Sequence, residues 1–170
     1  METAMTGTRI DRGSTDTTTI YSEGGDLVFE RVFDAPREQV WKAFTDPDQI
    51  PRWWGPHGTT TRVVEMDLRP GGTWRFVSSA PDRDDVTFYG EYLEVDPPNG
   101  YRATFMFDVE GVGPQGGPET YRLEDLGGRT KVTSIGHMGS AEAIEGALAT
   151  GMVKGAIETW DRLAALLAEG

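Results

Sequence analysis

The chain has 170 residues, no cysteine, and a net charge of −12 from 28 acidic and 16 basic side chains. That length suits one domain able to bury roughly 70% of its unfolded surface, and the missing cysteines exclude disulfides, thiolate metal sites and cysteine nucleophiles. So acidic a surface repels phosphate backbones and anionic lipids, and no apolar run is long enough for a bilayer; nucleic-acid and membrane binding are set aside and a cytoplasmic location is expected.

Residues 1–16 are polar, rich in threonine, glycine and charge, and read as a disordered leader lacking the apolar segment of a secretory signal, ahead of a single domain at 17–170. Strand character begins at Thr17–Tyr21 and resumes at Asp26–Phe33, where Leu27, Phe29 and Arg31 alternate with Val28, Glu30 and Val32. Asp34-Ala35-Pro36 then predicts a helix over 36–45, with Pro36 at its first position, Asp34 as candidate cap, and Val40, Trp41 and Phe44 as its apolar face. Pro47 opens a second short helix ending near Trp53.

From 59 to 137 the text is strands and turns: Thr60–Leu68, Thr73–Ser79, Val86–Val95, Tyr101–Val109, Thr120–Leu126 and Thr130–His137. Glu110–Pro118, with its glycines and prolines, reads as a loop, and Gly127-Gly128 as a tight hairpin. Connections this short favour antiparallel neighbours, because parallel pairing needs a long crossover.

At the C-terminus Met152, Val153, Ala156, Ile157, Trp160, Leu163, Ala164 and Leu167 recur at spacings of three and four, which places them on one stripe of a helix of about five turns. Extending the wheel backwards brings Glu142 and Glu145 into that stripe, so 140–149 reads as a separate short helix, capped by Ser140 and broken near Thr150-Gly151. The stripe needs a surface to lie on. The expected architecture is α+β: a curved antiparallel sheet of about six to seven strands gripping the long C-terminal helix, with two short helices after the first strand and any ligand space between sheet and helix.

Several phrases carry a family resemblance. Phe33-Asp34-Ala35-Pro36 with Val40-Trp41, then Thr45-Asp46-Pro47 and Arg52-Trp53-Trp54-Gly55-Pro56, resemble the opening of the START-like, or SRPBCC, superfamily, in its activator-of-heat-shock-ATPase-like branch. Asp67–Phe76, Gly90-Glu91, Glu94–Pro98, His137 with Gly139, and Asp161-Arg162-Leu163 continue the series over about residues 26–168. The resemblance implies a helix-grip fold with an apolar cavity under the long helix. It also implies that relatives often carry a Trp where Ala156 stands, which would reshape the cavity wall.

The candidate cavity residues follow from that placement. Trp74 and Phe76 share one strand face, as do Phe105 and Phe107; Trp54 stands beside Trp53 on a short helix, so one indole enters the core and the other a rim. Met66, Tyr89 and Tyr121 are further wall candidates, and the helix offers Met152, Ala156 and Trp160. For any one of them plain core filling is the first reading and ligand contact the second. Strand parity does not separate Tyr89 from Phe88 or Tyr92. His137, at a strand end, can hydrogen-bond a ligand oxygen, act as acid or base, or hold a structural bond. No metal-ligand spacing or cofactor fingerprint is present, and neither metal nor cofactor is expected.

Three functions are therefore weighed. The first is a binding module for a hydrophobic or aromatic small molecule, oriented by His137 or Tyr89. The second, from the resemblance, is a partner that stimulates a chaperone ATPase; a homodimer is a further candidate. The third, a cyclase- or aromatase-type enzyme, rests on fold analogy and requires His137 to face the cavity.

Overall fold

The computed structural model describes residues 8–170. Its strands are β1 (Ile10–Asp11), β2 (Thr19–Glu23), β3 (Asp26–Phe33), β4 (Thr60–Met66), β5 (Thr73–Ala80), β6 (Arg83–Asp96), β7 (Gly100–Val109), β8 (Gly113–Asp125) and β9 (Thr130–His137). The helices are α1 (Arg37–Thr45), α2 (Ala141–Leu148) and α3 (Met152–Ala168), with a 3₁₀ turn at Ile50–Arg52. All the strands form one antiparallel sheet in the order β1-β2-β3-β9-β8-β7-β6-β5-β4.

This is the helix-grip arrangement, with nine strands where six to seven were expected. At the β3 edge the sheet is extended by β2, which answers to the strand character read from Thr17, and then by the two-residue β1, which the sequence reading lacks. The leader expected over 1–16 thus contains a strand at Ile10–Asp11, and its first seven residues lie outside the described residues. Two local expectations also change. Pro36 occupies the cap position in extended backbone, where its carbonyl accepts the Val40 N–H at 3.1 Å, and no side chain caps α1, Asp34 included. The second helix shrinks to a single 3₁₀ turn, because Pro51 has no N–H to continue a ladder.

The stretch read as a loop over 110–118 is mostly strand. Only Glu110–Val112 turn, and Gly113–Pro118 pair with β7 from Val109 back to Thr104. Pro114 and Pro118 fit there because β8 pairs with β9 only from Glu119 onward, so neither proline needs to donate on that side.

The long helix is where the apolar stripe put it. Gly151, at φ 80°, breaks α2 from α3, and Ser140 caps α2 by accepting the Ala143 N–H at 3.1 Å. Trp160, Leu163, Leu166 and Leu167 are buried with Phe29 and Phe33 of β3, Val132 of β9, and Val40 and Ala43 of α1. Trp160 meets the Phe29 and Phe33 rings edge-on at 6.4 and 5.7 Å. Side chains of this size contribute about 1.5–3 kcal/mol each when fully buried. Arg31, in phase with Phe29 and Phe33, reaches over the core to Asp161 at 2.7 Å and ties the sheet to α3.

Candidate functional site

A second core cluster, Ile50, Trp74, Phe76, Tyr92 and Ala103, lies towards the β4 edge. Trp54 and Tyr101 pack against both clusters. Between the clusters, under the N-terminal half of α3, is a cavity of about 480 Å³, within the roughly 300–1,000 Å³ of small-molecule sites.

Strand alternation builds its floor. β5 sends Trp74, Phe76 and Ser78 inward, β6 sends Val86, Phe88 and Tyr92, and β7 sends Tyr101, Ala103 and Phe105. Glu119 and Tyr121 enter from β8, Ser134 and Gly136 from β9. The roof is Met152, Gly155, Ala156, Thr159 and Trp160 of α3. Trp54 closes one side, with its ring 5.3 Å from Phe76, 5.1 Å from Phe88 and 6.2 Å from Phe105. Its neighbour Trp53 borders the same space but is buried in the core, where its indole donates to the Ala43 carbonyl at 2.9 Å.

The loop after Trp54 is pinned to the roof. Arg162 donates to the Gly55 carbonyl at 2.9 Å, Glu158 accepts the His57 N–H at 3.1 Å, and Pro56 lies 3.8 Å from where a Gly155 Cβ would stand. The exposed Arg83 borders the cavity at the β5–β6 hairpin, where it binds the Ser78 carbonyl and hydroxyl at 3.1 and 2.9 Å. Trp74 is fixed across the sheet, its indole donating to the Thr104 carbonyl at 3.1 Å over Gly90. A Cβ at Gly90 would stand 1.9 Å from that carbonyl oxygen, so this crossing needs glycine.

Eight of the sequence candidates border this space: Trp54, Trp74, Phe76 and Phe105, with Tyr121, Met152, Ala156 and Trp160. Four do not. Met66 packs on the β4 edge with the second cluster. Phe107 has the inward parity but lies past the cavity, 6.0 Å from Phe88. Tyr89 faces the opposite side, where its hydroxyl donates to Asp108 at 2.6 Å and Arg75 lies over its ring at 5.3 Å.

His137 is also on the outer face. Its Nδ1 is 3.1 Å from Asp26 Oδ1 and its Nε2 is 2.9 Å from Thr120 Oγ1, so it joins β3, β9 and β8. A hydroxyl, imidazole and carboxylate in series is the order of a nucleophilic relay. Here the three residues sit in paired strands, whose N–H groups are engaged in the ladder and form no oxyanion hole. The string is a staple across strands, and the condition set for cyclase-type chemistry, His137 in the cavity, is not met.

The sequence reading missed Glu119, the acidic group of the wall. The available signal was its phase: Glu119, Tyr121 and Leu123 alternate on one face of β8, and a strand begun at Thr120 hides that. Glu119 Oε1 accepts the Tyr121 hydroxyl at 2.7 Å. Burial pushes its carboxyl up from 4.5 to about 7, against the lowering effect of that hydroxyl. Burial likewise raises the phenols of Tyr101 and Tyr121, which stack at 5.0 Å, and that of Tyr92. Among the described residues no group of three or more His, Cys, Asp or Glu gathers as a metal site.

The family described as Activator of Hsp90 ATPase homolog 1-like protein matches residues 34–168. The chain belongs to that family. Solved structures agree with this Activator of Hsp90 ATPase homolog 1-like fold. A crystal structure of a Mycobacterium smegmatis protein is 30% identical at TM-score 0.75, covering 85% of this chain and 91% of that one. A Rhodobacter sphaeroides crystal structure is 24% identical at TM-score 0.80, covering 90% and 99%. A solution structure from Arthrobacter aurescens is 24% identical at TM-score 0.81, covering 89% and 92%. No curated protein matches the sequence. No helix among the described residues is long and apolar enough to cross a membrane.

Proposed function

We propose that this chain binds a hydrophobic or aromatic small molecule in the cavity beneath α3. The observation that carries the reading is the cavity itself: about 480 Å³ left open among aromatic walls, where a domain packed for stability alone would be filled. Apolar burial drives the binding, and the inward polar groups Glu119, Tyr101, Tyr121 and Ser134 orient the guest. They take the orienting role first given to His137 and Tyr89. We place this activity in the cytoplasm, a reading supported by the cysteine-free sequence. Native mass spectrometry of protein purified from its own host tests the proposal. A retained small molecule that leaves on mild activation is the expected result; bare protein, with no melting shift from any member of a hydrophobic panel, contradicts it.

The family description favours a second reading, contact with a chaperone ATPase. Its test is the ATPase rate of the chaperone with the protein added, and no rise in that rate ends it.

A further inference from the structure

The aromatic wall of the cavity is broken by one carboxylate. Glu119 Oε1 is engaged by Tyr121, and its second oxygen has no hydrogen-bond or ion-pair partner among the described residues. An ionised carboxylate offers about four acceptor sites, so most of its capacity is unused. The one basic side chain bordering the cavity, Arg83, lies on β6 with β7 between it and β8, and is taken up by Ser78 and the Asp84 carbonyl.

We propose that the ligand carries a protonated amine on its hydrophobic skeleton, with Glu119 as counter-ion and the stacked Tyr101 and Tyr121 rings as the π faces beside it. This rests on the ligand-binding reading above and names the chemistry of the guest. Glu119 is half-buried, its free oxygen turned to the cavity; a guest that displaces water from that oxygen leaves it costly unless a donor replaces the water, and an ammonium supplies both the charge and up to three N–H donors. Aromatic faces attract a cation through their quadrupoles, and the attraction grows as water is excluded. A neutral guest leaves Glu119 uncompensated, and a carboxylate guest meets it as a like charge. The net charge of −12 enriches cations around the whole molecule.

The pH dependence has a defined sign. Glu119 is bonded to Tyr121 and pairs in register with Ala103 of β7 and Gly136 of β9, and the other titratable or charged groups lining the cavity are Tyr92, Tyr101 and Arg83, while α3 lines it with the uncharged Met152, Ala156 and Trp160. The three phenols are held above their ordinary value of 10, and an alkyl amine keeps its proton to roughly 10. Of the cavity-lining groups with a shifted pKa, the three phenols stay neutral between pH 6 and 8 and Glu119 gains its charge as pH rises through about 7. Amine affinity therefore rises over that interval.

The experiment displaces the neutral fluorophore N-phenylnaphthylamine from the full chain with three matched competitors: naphthylethylamine, naphthylethanol and naphthylacetate. At pH 8 the amine is expected to compete about tenfold or more better than the alcohol, the scale of a hydrogen bond to a charged group, with the acid weakest. The preference shrinks at pH 6, and in Glu119→Gln the amine-to-alcohol ratio falls to about one. Equal competition by amine and alcohol in the wild type at pH 8, or a preference that survives in Glu119→Gln, overturns the proposal while leaving the binding reading intact. No saturable binding of the fluorophore or of any competitor overturns both. Should Glu119→Gln fail to fold, the wild-type pH series decides alone: a flat preference from pH 6 to 8 refutes the role of Glu119.

Discussion

One helix serves two regions that differ in what they do with apolar surface. At its C-terminal half α3 presents Leu163, Leu166 and Leu167 to a filled core with Phe33, Val40 and Val132. At its N-terminal half the positions facing the sheet are Met152, Gly155 and Ala156, and the space opposite them stays open. The same stripe thus runs from leucines that close a core to Gly155 and Ala156, whose small size leaves a chamber. The lesson is that periodicity reports which face is buried, while residue size along that face reports whether burial is complete.

That contrast is breakable. Leu163→Ala, in the filled half, should cost about 3–4 kcal/mol by chemical denaturation, because Leu163 is fully buried and the close packing leaves a lasting void. A cost below about 1 kcal/mol would mean the two halves do not differ.

The chamber should show itself in a pH effect of similar size. Glu119 binds its proton with a pKa of about 7 when folded against 4.5 when unfolded, so between those values the native state holds a proton the unfolded state lacks. Its contribution to stability therefore falls as pH rises through that window, by at most roughly 3 kcal/mol at about 1.4 kcal/mol per unit and by less where solvent reaches the half-buried carboxyl. The readout is the difference between wild type and Glu119→Gln, since Gln does not titrate: relative to the variant, the wild type should weaken from pH 4.5 to 7. A constant difference contradicts the raised carboxyl pKa.

Phe88→Ala, on the chamber floor, should cost less than Leu163→Ala and less than the roughly 3–5 kcal/mol of a fully packed phenylalanine, because the side of the ring turned to the cavity has few atoms to lose. His137→Ala should be smallest. It removes the bonds to Thr120 and Asp26 on the outer face, so about 1 kcal/mol of stability and no change in binding of a hydrophobic fluorophore are expected.

Much of this was legible beforehand, and the reasons are local. The phase shift at Glu142 and Glu145 located the break that Gly151 makes, and the family phrases and apolar stripe gave the grip of helix on sheet. The chamber wall was read only where parity was clean, as at Trp74 and Phe76. On β6 large groups lie on both faces, so Phe88 and Tyr92 could not be told from Tyr89. Glu119 was hidden by Gly113–Pro118, whose composition argues for a loop while β7 pairs it as strand. His137 was read from residue type, and its outward side of β9 is decided by register with β3 and β8.

The claim on which the account turns is that the space under the N-terminal half of α3 is a ligand chamber. Titration of N-phenylnaphthylamine into wild type and Ala156→Trp tests it directly, because position 156 borders the cavity at its junction with the filled core and an indole there takes up its space. Saturable binding with a blue-shifted emission is expected in the wild type, and its loss in Ala156→Trp while the melting temperature holds or rises. Binding of equal strength in both proteins would contradict it.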